Sequence, residues 1–299
     1  MKVATTTDRK AVVVTGASSG IGRASVEKAA AHGWQVFAGI RDQAAAERIR
    51  QLAPERIVPI RLDITEPDEV EAAAKLVADE LGGWPLTGLF NNAGTTWPCP
   101  IEYLAVADFR RQLEVNLIGH LAVIKAFLPQ LRRPGGRILA TSSPGAKIGA
   151  PFMAGYVAAK AGLEGICAVL RTELRRDGID VAIIEPGFVA TEMRHKLQRD
   201  TEAVIAGLPE AGQHRFAAML RQVMARVQRE AADGAQPDVV ADAVWQALTD
   251  PRPKVRYPAG PGARRVLTLA KLLPDRVMDR VVARMLKAGD TARHGNLGN

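Results

Sequence analysis

"AVVVTGASSGIG", residues 11–22, joins a short apolar run to a glycine-rich turn and then to a segment with helical character. Four β-branched or small apolar residues without polar alternation read as a strand buried on both faces. Glycines at 16, 20 and 22 fall where the chain must turn tightly and a ligand backbone would approach, and glycine removes the Cβ that would obstruct it. The helix that follows begins with free N–H groups and partial positive charge, a setting for a pyrophosphate. The spacing is not GxGxxG, so that fingerprint does not apply. An ordinary strand-to-helix turn would need one glycine; three glycines and two serines in eight residues favour the phosphate loop.

Working outward, the same rhythm recurs through the first 190 residues. Apolar runs at 11–15, 35–40, 56–62, 86–91, 136–142 and 180–186 read as strands, and stretches near 20–32, 43–52, 66–82, 107–131 and 153–177 read as helices. This alternation implies right-handed crossovers and a doubly wound parallel sheet with helices on both faces. After Pro186 the rhythm breaks: 191–230 reads as irregular helix, 237–249 as a helix opened by Pro237, "KVRYPAG" (254–260) as a last strand, and 262–287 as helical on both sides of Pro274. One domain is expected over residues 1–299, with a core at 1–190 and an elaborated helical C-terminal third at 191–299.

Composition limits the function classes. The 299-residue chain is 47% hydrophobic and 24% charged, ordinary for a soluble globular protein. Cys99 and Cys167 stand far apart, which offers neither a disulfide framework nor a zinc site and suits a reducing cytoplasm. The N-terminus lacks the apolar core of a signal peptide, and no run of about 18 apolar residues is present to span a membrane. A cytoplasmic location is expected. The net charge of +8 gathers in residues 252–287, with ten basic and two acidic residues. No basic run there exceeds two residues, so a solvated helix face is expected rather than a nucleic-acid site. Docking on the domain is the default for this tail, ahead of dimer contact or a membrane-surface role.

The second strand ends "VFAGIRD". An acid at the strand tip would bind the ribose hydroxyls of NAD, whereas an arginine would meet the 2′-phosphate of NADP. The acid position holds Ile40 and Arg41 follows, which favours NADP(H), with NAD(H) as the other option. Asp42 is the nearest candidate to pair with Arg41 instead.

Taken in order, "TGASSGIG" (15–22), "LDIT" (62–65), "NNAG" (91–94), Asn116, "TSS" (141–143), "YVAAK" (156–160) and "PGFVAT" (186–191) resemble the short-chain dehydrogenase/reductase family over nearly the whole chain. In look the chain is most similar to the hydroxysteroid and retinol dehydrogenase branches. The resemblance implies a cofactor site at Gly16, Ser18, Ser19, Gly20, Ile21, Gly22, Arg41, Asp63, Ile64, Asn92, Ala93, Gly94, Tyr156, Lys160, Pro186, Gly187, Val189 and Thr191. Asp63 would contact adenine, Asn92 and Gly94 would line the adenosine side, and Thr191 would meet the carboxamide. The implied catalytic set is Asn116, Ser143, Tyr156 and Lys160, with no metal. Ala159 stands where the family often has Ser, and Pro144 directly follows Ser143.

The chemistry of that set follows from its residue types. Residues 156 and 160 are one helical turn apart, so their side chains rise on one face. A phenol of pKa about 10 exchanges protons poorly near neutrality. A lysine cation nearby, at an effective dielectric near 20, would stabilise the phenolate by roughly 2–4 kcal/mol, lowering its pKa by about two to three units. Tyr156 is then the expected acid/base and Ser143 the oxyanion donor. Asn116 falls in the 107–131 helix, where the resemblance implies a proton relay through water to Lys160 and the bland alternative is a solvated helix face. Trp97, Ile148, Phe152, Met153, Phe188, Met193, Leu197, Phe216 and Met219 are candidate pocket walls and point to a lipophilic substrate. The expected activity is reversible alcohol–carbonyl redox, and the family resemblance implies a homodimer or homotetramer built through the 107–131 and 153–177 helices. A redox-sensing regulator that binds dinucleotide without turnover is the alternative, but it would need none of the four catalytic residues.

Overall fold

The computed structural model describes residues 9–132 and 135–287. Its centre is a seven-stranded sheet: β1 (Ala11–Thr15), β2 (Gln35–Ile40), β3 (Ile57–Arg61), β4 (Gly88–Asn91), β5 (Arg137–Thr141), β6 (Asp180–Pro186) and β7 (Arg256–Ala259). The order is β3-β2-β1-β4-β5-β6-β7 with every neighbouring pair parallel. The doubly wound sheet expected from the alternating runs is present. "KVRYPAG" supplies its last strand, on the edge, where Pro258 is tolerated.

Alternate side chains of each strand feed two cores. On β1, Val12 and Val14 join a cluster closed by α1 (Gly20–Ala31), α2 (Gln43–Arg50) and α9 (Pro237–Thr249). Val13 of the same strand joins the opposite cluster, closed by α3 (Pro67–Leu81), α5 (Gly119–Leu131) and α6 (Ala154–Glu173). Burial on both faces explains why these strands carry no polar alternation.

Two differences from the sequence reading matter for the site. The helix expected over 107–131 is divided: α4 (Val106–Leu113) passes into a π-turn at Glu114–Ile118 before α5 begins. The 191–230 region is two helices, α7 (Met193–Gly207) and α8 (Glu210–Ala232), broken at Pro209, whose missing N–H suits a helix start. They form a third, smaller core from Leu197, Val204, Ile205, Leu220 and Met224, with Trp97, Phe152 and Met153 packed against it. The tail forms α10 (Ala263–Leu272) and α11 (Asp275–Lys287) around Pro274, and its arginines 264, 265, 276, 280 and 284 are exposed, as a solvated face requires. None of the helices among the described residues is long and apolar enough to cross a membrane.

Candidate active site

The chain runs β1 to β2 to β3 on one side and then returns to lay β4 on the other side of β1. The loops leaving β1 and β4 therefore diverge and open a crevice at the C-terminal ends of the strands, where open parallel sheets bind ligands. Thr15, the last residue of β1, holds that edge together. Its hydroxyl accepts from the amides of Asn92 (2.9 Å) and Ala93 (3.0 Å). Asn92 in turn donates through Nδ2 to the carbonyls of Thr15 and Gly16.

The turn from β1 into α1 fits a nucleotide diphosphate. Gly16 and Gly20 have φ of 63° and 52°, and a Cβ on Gly22 would lie 2.2 Å from the Gly16 carbonyl oxygen. Ser19 is the N-cap of α1, yet its side chain makes no capping bond, so the first N–H groups of the helix remain available to an anion. Ser18 is exposed beside it, and Gly20 lies against Thr191, whose Cγ2 would stand 3.0 Å from an added Cβ. The residues present fit the pyrophosphate they were expected to hold.

At the adenosine end, Asp63 accepts from both the amide and the hydroxyl of Thr65 (3.0 and 2.8 Å) and pairs with Arg41 (Nη1–Oδ2 3.3 Å). Burial alone would raise its pKa, but these bonds and the Arg41 charge together hold it below the ordinary value. Arg41 thus pairs with Asp63 rather than with Asp42. The Asp42 carboxylate is occupied as the N-cap of α2, accepting from Ala45 N at 2.8 Å. Several expected cofactor residues present backbone rather than side chain. Ile64 and Val189 are buried in the cores, and Gly187 is pressed so closely on Pro261 that a Cβ would meet its carbonyl at 2.4 Å. Ala93 offers its carbonyl to His120 Nε2 (2.7 Å); burial pushes that imidazole down to about 3 and keeps it neutral.

The four expected catalytic residues gather beyond this edge. Ser143 follows β5 and caps a short 3₁₀ turn, Pro144–Lys147, accepting from Gly145 N at 3.1 Å. With that lone pair taken, its proton is free to point outward, and the Ser143 hydroxyl acts on the nearby Tyr156 phenol in the sense that favours its ionised form. Lys160, one turn along α6, donates to the Thr141 carbonyl at 2.7 Å and stands 5.9 Å from the centre of the Tyr156 ring. Asn116 is fully buried inside the π-turn, which rules out the solvated helix face. Its carboxamide accepts from Thr95 N (3.0 Å) and donates to Thr95 O (2.9 Å) and Gln112 O (3.0 Å), and its Oδ1 borders Gly94.

One expectation is corrected here. The Tyr156 pKa lies above its ordinary value rather than below it, because burial of the phenol outweighs the opposing bond from Ser143. Burial also pushes Lys160 down to about 8, so the lysine remains largely a cation at neutral pH. The two groups are poised by the same desolvation acting in opposite senses on a neutral acid and a charged one.

The pocket walls separate into three groups. Phe152 and Phe216 line an apolar groove of about 500 Å³ with Cys99, Pro100, Ile101 and Val157. Phe152 holds the left-handed conformation (φ 66°) that non-glycine residues seldom adopt, a strain of the kind found at ligand-contacting segments. Trp97, Met153 and Leu197 instead pack into the third core, while Phe188, Met193 and Met219 are exposed. Sequence reasoning missed Thr15, Gln112, Ser142, Lys147 and Glu164. The last was legible, since 156, 160 and 164 repeat at one helical face. Cys99 and Cys167 are buried free thiols, and burial pushes both up to about 11, so neither is a ready nucleophile. Among the described residues there is no cluster of His, Cys, Asp and Glu able to hold a metal ion.

A family model described as short chain dehydrogenase matches residues 10–202. The chain is 34% identical to retinol dehydrogenase 5 of Mus musculus and 31% identical to 17-beta-hydroxysteroid dehydrogenase type 6 of Homo sapiens. Each match covers 92% of this chain and 88% of the relative. Among solved structures, a short-chain dehydrogenase/reductase from Burkholderia phymatum in complex with NAD superposes with a TM-score of 0.74 at 25% identity, covering 89% of this chain and 92% of that one. One from Burkholderia cenocepacia in complex with NADP superposes with a TM-score of 0.69 at 26% identity, covering 93% and 98%. Seven parallel strands, the glycine turn at their C-terminal edge and these matches together place the chain in the short-chain dehydrogenase/reductase family of oxidoreductases, on its retinol and hydroxysteroid dehydrogenase branch.

Proposed function

We propose that the protein interconverts a lipophilic alcohol and its ketone or aldehyde, using NADP(H) in preference to NAD(H), with Tyr156 as the acid/base. The observation that carries this reading is the cluster itself: Lys160, anchored on the Thr141 carbonyl, stands 5.9 Å from the centre of the Tyr156 ring, and the Ser143 hydroxyl favours the phenolate there. Bound nicotinamide dinucleotide takes up or delivers the hydride and, when oxidised, brings a positive ring. Gly16, Gly20, Gly22 and Ser19 would hold its diphosphate, Asp63 and Arg41 its adenosine end, and Thr191 its carboxamide side. Ser143 donates to the substrate oxygen and stabilises the charge developing there. Tyr156 gives a proton to that oxygen in reduction and takes it in oxidation. Lys160 favours the phenolate by charge, and Asn116 holds the loop at Thr95 against the lysine, in position for a relay.

Three further supports can be named. The groove at Phe152, Val157 and Phe216 is apolar, and the relatives named above act on retinol and on a hydroxysteroid by their names. Arg41 at the β2 tip, with no acid in the ribose position, favours a 2′-phosphate. Val106, Ile118 and Val169 expose apolar surface on α4, the π-turn and α6, the helices through which a homodimer or homotetramer would form. On this reading the enzyme works in the cytoplasm.

The test is oxidation or reduction of a panel of hydrophobic alcohols and ketones, including retinol and a 17β-hydroxysteroid, with either nucleotide. Tyr156→Phe is expected to lose at least about a hundredfold in kcat, the range of a general acid/base, while NADPH still binds by fluorescence. Turnover retained in that variant would remove Tyr156 from the chemistry.

A further inference from the structure

Glu164 lies two helical turns beyond Tyr156 on α6, and its side chain is 4% exposed. A carboxylate buried to that degree persists only when paired. Its partners come from three different elements. Ser142, next to Ser143, donates its hydroxyl to Glu164 Oε1 at 2.7 Å. Lys147, the last residue of the turn that Ser143 caps, reaches Oε2 at 2.5 Å. Arg256 of β7 donates to the same oxygen at 2.7 Å and, with its other nitrogen, to Glu185 Oε1 at 2.6 Å. Glu185 in turn is the residue before Pro186 and Gly187, at the C-terminal end of β6.

One carboxylate therefore holds both ends of the segment 142–147 against the helix that carries the phenol. The constraint has a chemical consequence. Ser143 and Tyr156 must direct their hydroxyls at one substrate oxygen, and a displacement near 1 Å at such a pair lowers rates strongly. Within the loop itself the Gly145 amide donates to the Ser143 hydroxyl and the Ala146 amide to its carbonyl (2.9 Å), both from the short turn that Lys147 ends. We propose that Glu164, gripping Ser142 and Lys147, is the positioning residue that sets Ser143 against Tyr156. This inference rests on the reading of Ser143 and Tyr156 given under Proposed function. It assigns Lys147, an otherwise ordinary surface lysine with a 38% exposed side chain, a part in the reaction.

The experiment is a double-mutant cycle on the full-length protein that needs no substrate. Ionisation of Tyr156 is followed by ultraviolet difference titration against Tyr156→Phe, which removes the signals of Tyr103 and Tyr257. Because the Ser143 hydroxyl favours the phenolate, Ser143→Ala should raise the Tyr156 midpoint by about half a unit or more. Lys147→Met should raise it in the native background, and Lys147→Arg should restore it. In the Ser143→Ala background, Lys147→Met should add nothing. An unmoved midpoint in Lys147→Met, or an equal shift in both backgrounds, overturns the positioning role while leaving the hydroxyl pair intact. An unmoved midpoint in Ser143→Ala overturns the pair and the positioning role together. Circular dichroism across the titration shows that each variant stays folded. With any substrate the panel identifies, Lys147→Met should lower kcat about tenfold and leave KM for the nucleotide unchanged, as loss of orientation rather than of binding predicts.

Discussion

Lys160 carries a positive charge into a site that is 2% exposed, and burial lowers its pKa from 10.5 to about 8. The sign of the resulting linkage is definite. Below pH 8 the folded and unfolded chains both hold the proton, and the buried charge is a constant penalty. Between about 8 and 10.5 the unfolded chain binds more protons than the folded one, so stability rises with pH across that window. Measured against Lys160→Met by denaturant unfolding, the native protein should therefore gain stability as pH rises from 8 to 10.5 and show a flat difference from 6 to 7.5. A flat difference throughout would mean that the lysine is not desolvated. On the proposed mechanism the penalty is retained because the cation favours the phenolate when Tyr156 gives up its proton. Tyr156 illustrates the limit of residue-level reasoning. Its type and spacing identify it, but the direction of its pKa shift depends on how deeply the ring is buried, and the fold sets that depth.

At the scale of elements, function collects at strand tips and helix starts. The tips of β2 and β3 meet through Arg41 and Asp63, and Arg61, bound to Glu69 at 2.7 Å, also reaches the Arg41 carbonyl. Arg41 is largely exposed, so its pairing with Asp63 is weak enough for a 2′-phosphate to displace. Arg41→Asp should weaken NADPH binding at least about tenfold and improve NADH relative to it, because an acid there repels a phosphate and accepts from ribose hydroxyls. Equal affinities before and after the change, by fluorescence titration, would refute the NADP preference. The π-turn at 114–118 is the element that local sequence did not disclose. Its residues read as ordinary helix, yet the widened turn brings Asn116 fully into the protein, against the Thr95 backbone. π-Bulges commonly mark functional sites for this reason. Gly155, next to Tyr156, shows the same dependence: a Cβ there would lie 2.4 Å from Gln112 Nε2, a constraint visible only once α4 packs on α6.

At the scale of the whole molecule, the sheet has one reacting edge and one structural edge. Arg137 opens β5 at the structural edge, 9% exposed, donating to the carbonyls of Ala247 (2.7 Å) and Asp250 (2.5 Å) at the end of α9. A cation on helix-terminal carbonyls is favourable by both hydrogen bonding and dipole. Arg137→Met should lower stability by about 2–3 kcal/mol, the loss of buried hydrogen bonds to a charged donor, and leave nucleotide affinity unchanged because the crevice lies at the opposite strand ends. A weaker nucleotide affinity with unchanged Tm would contradict that separation of edges. Six of the strands and the glycine turn were legible from residues 11–191, and the seventh strand from 254–260, since apolar runs and glycine spacing are local properties. The sequence by itself determined the sheet and the glycine turn, and marked Ser143, Tyr156 and Lys160 as the candidates for chemistry. Only the tertiary structure decided that Arg41 meets Asp63, that Asn116 turns inward, that Phe188 and Met193 face solvent, and that Glu164 grips the serine loop. Each of these depends on which distant segments pack together and how much water they exclude, quantities that no short stretch of chain contains.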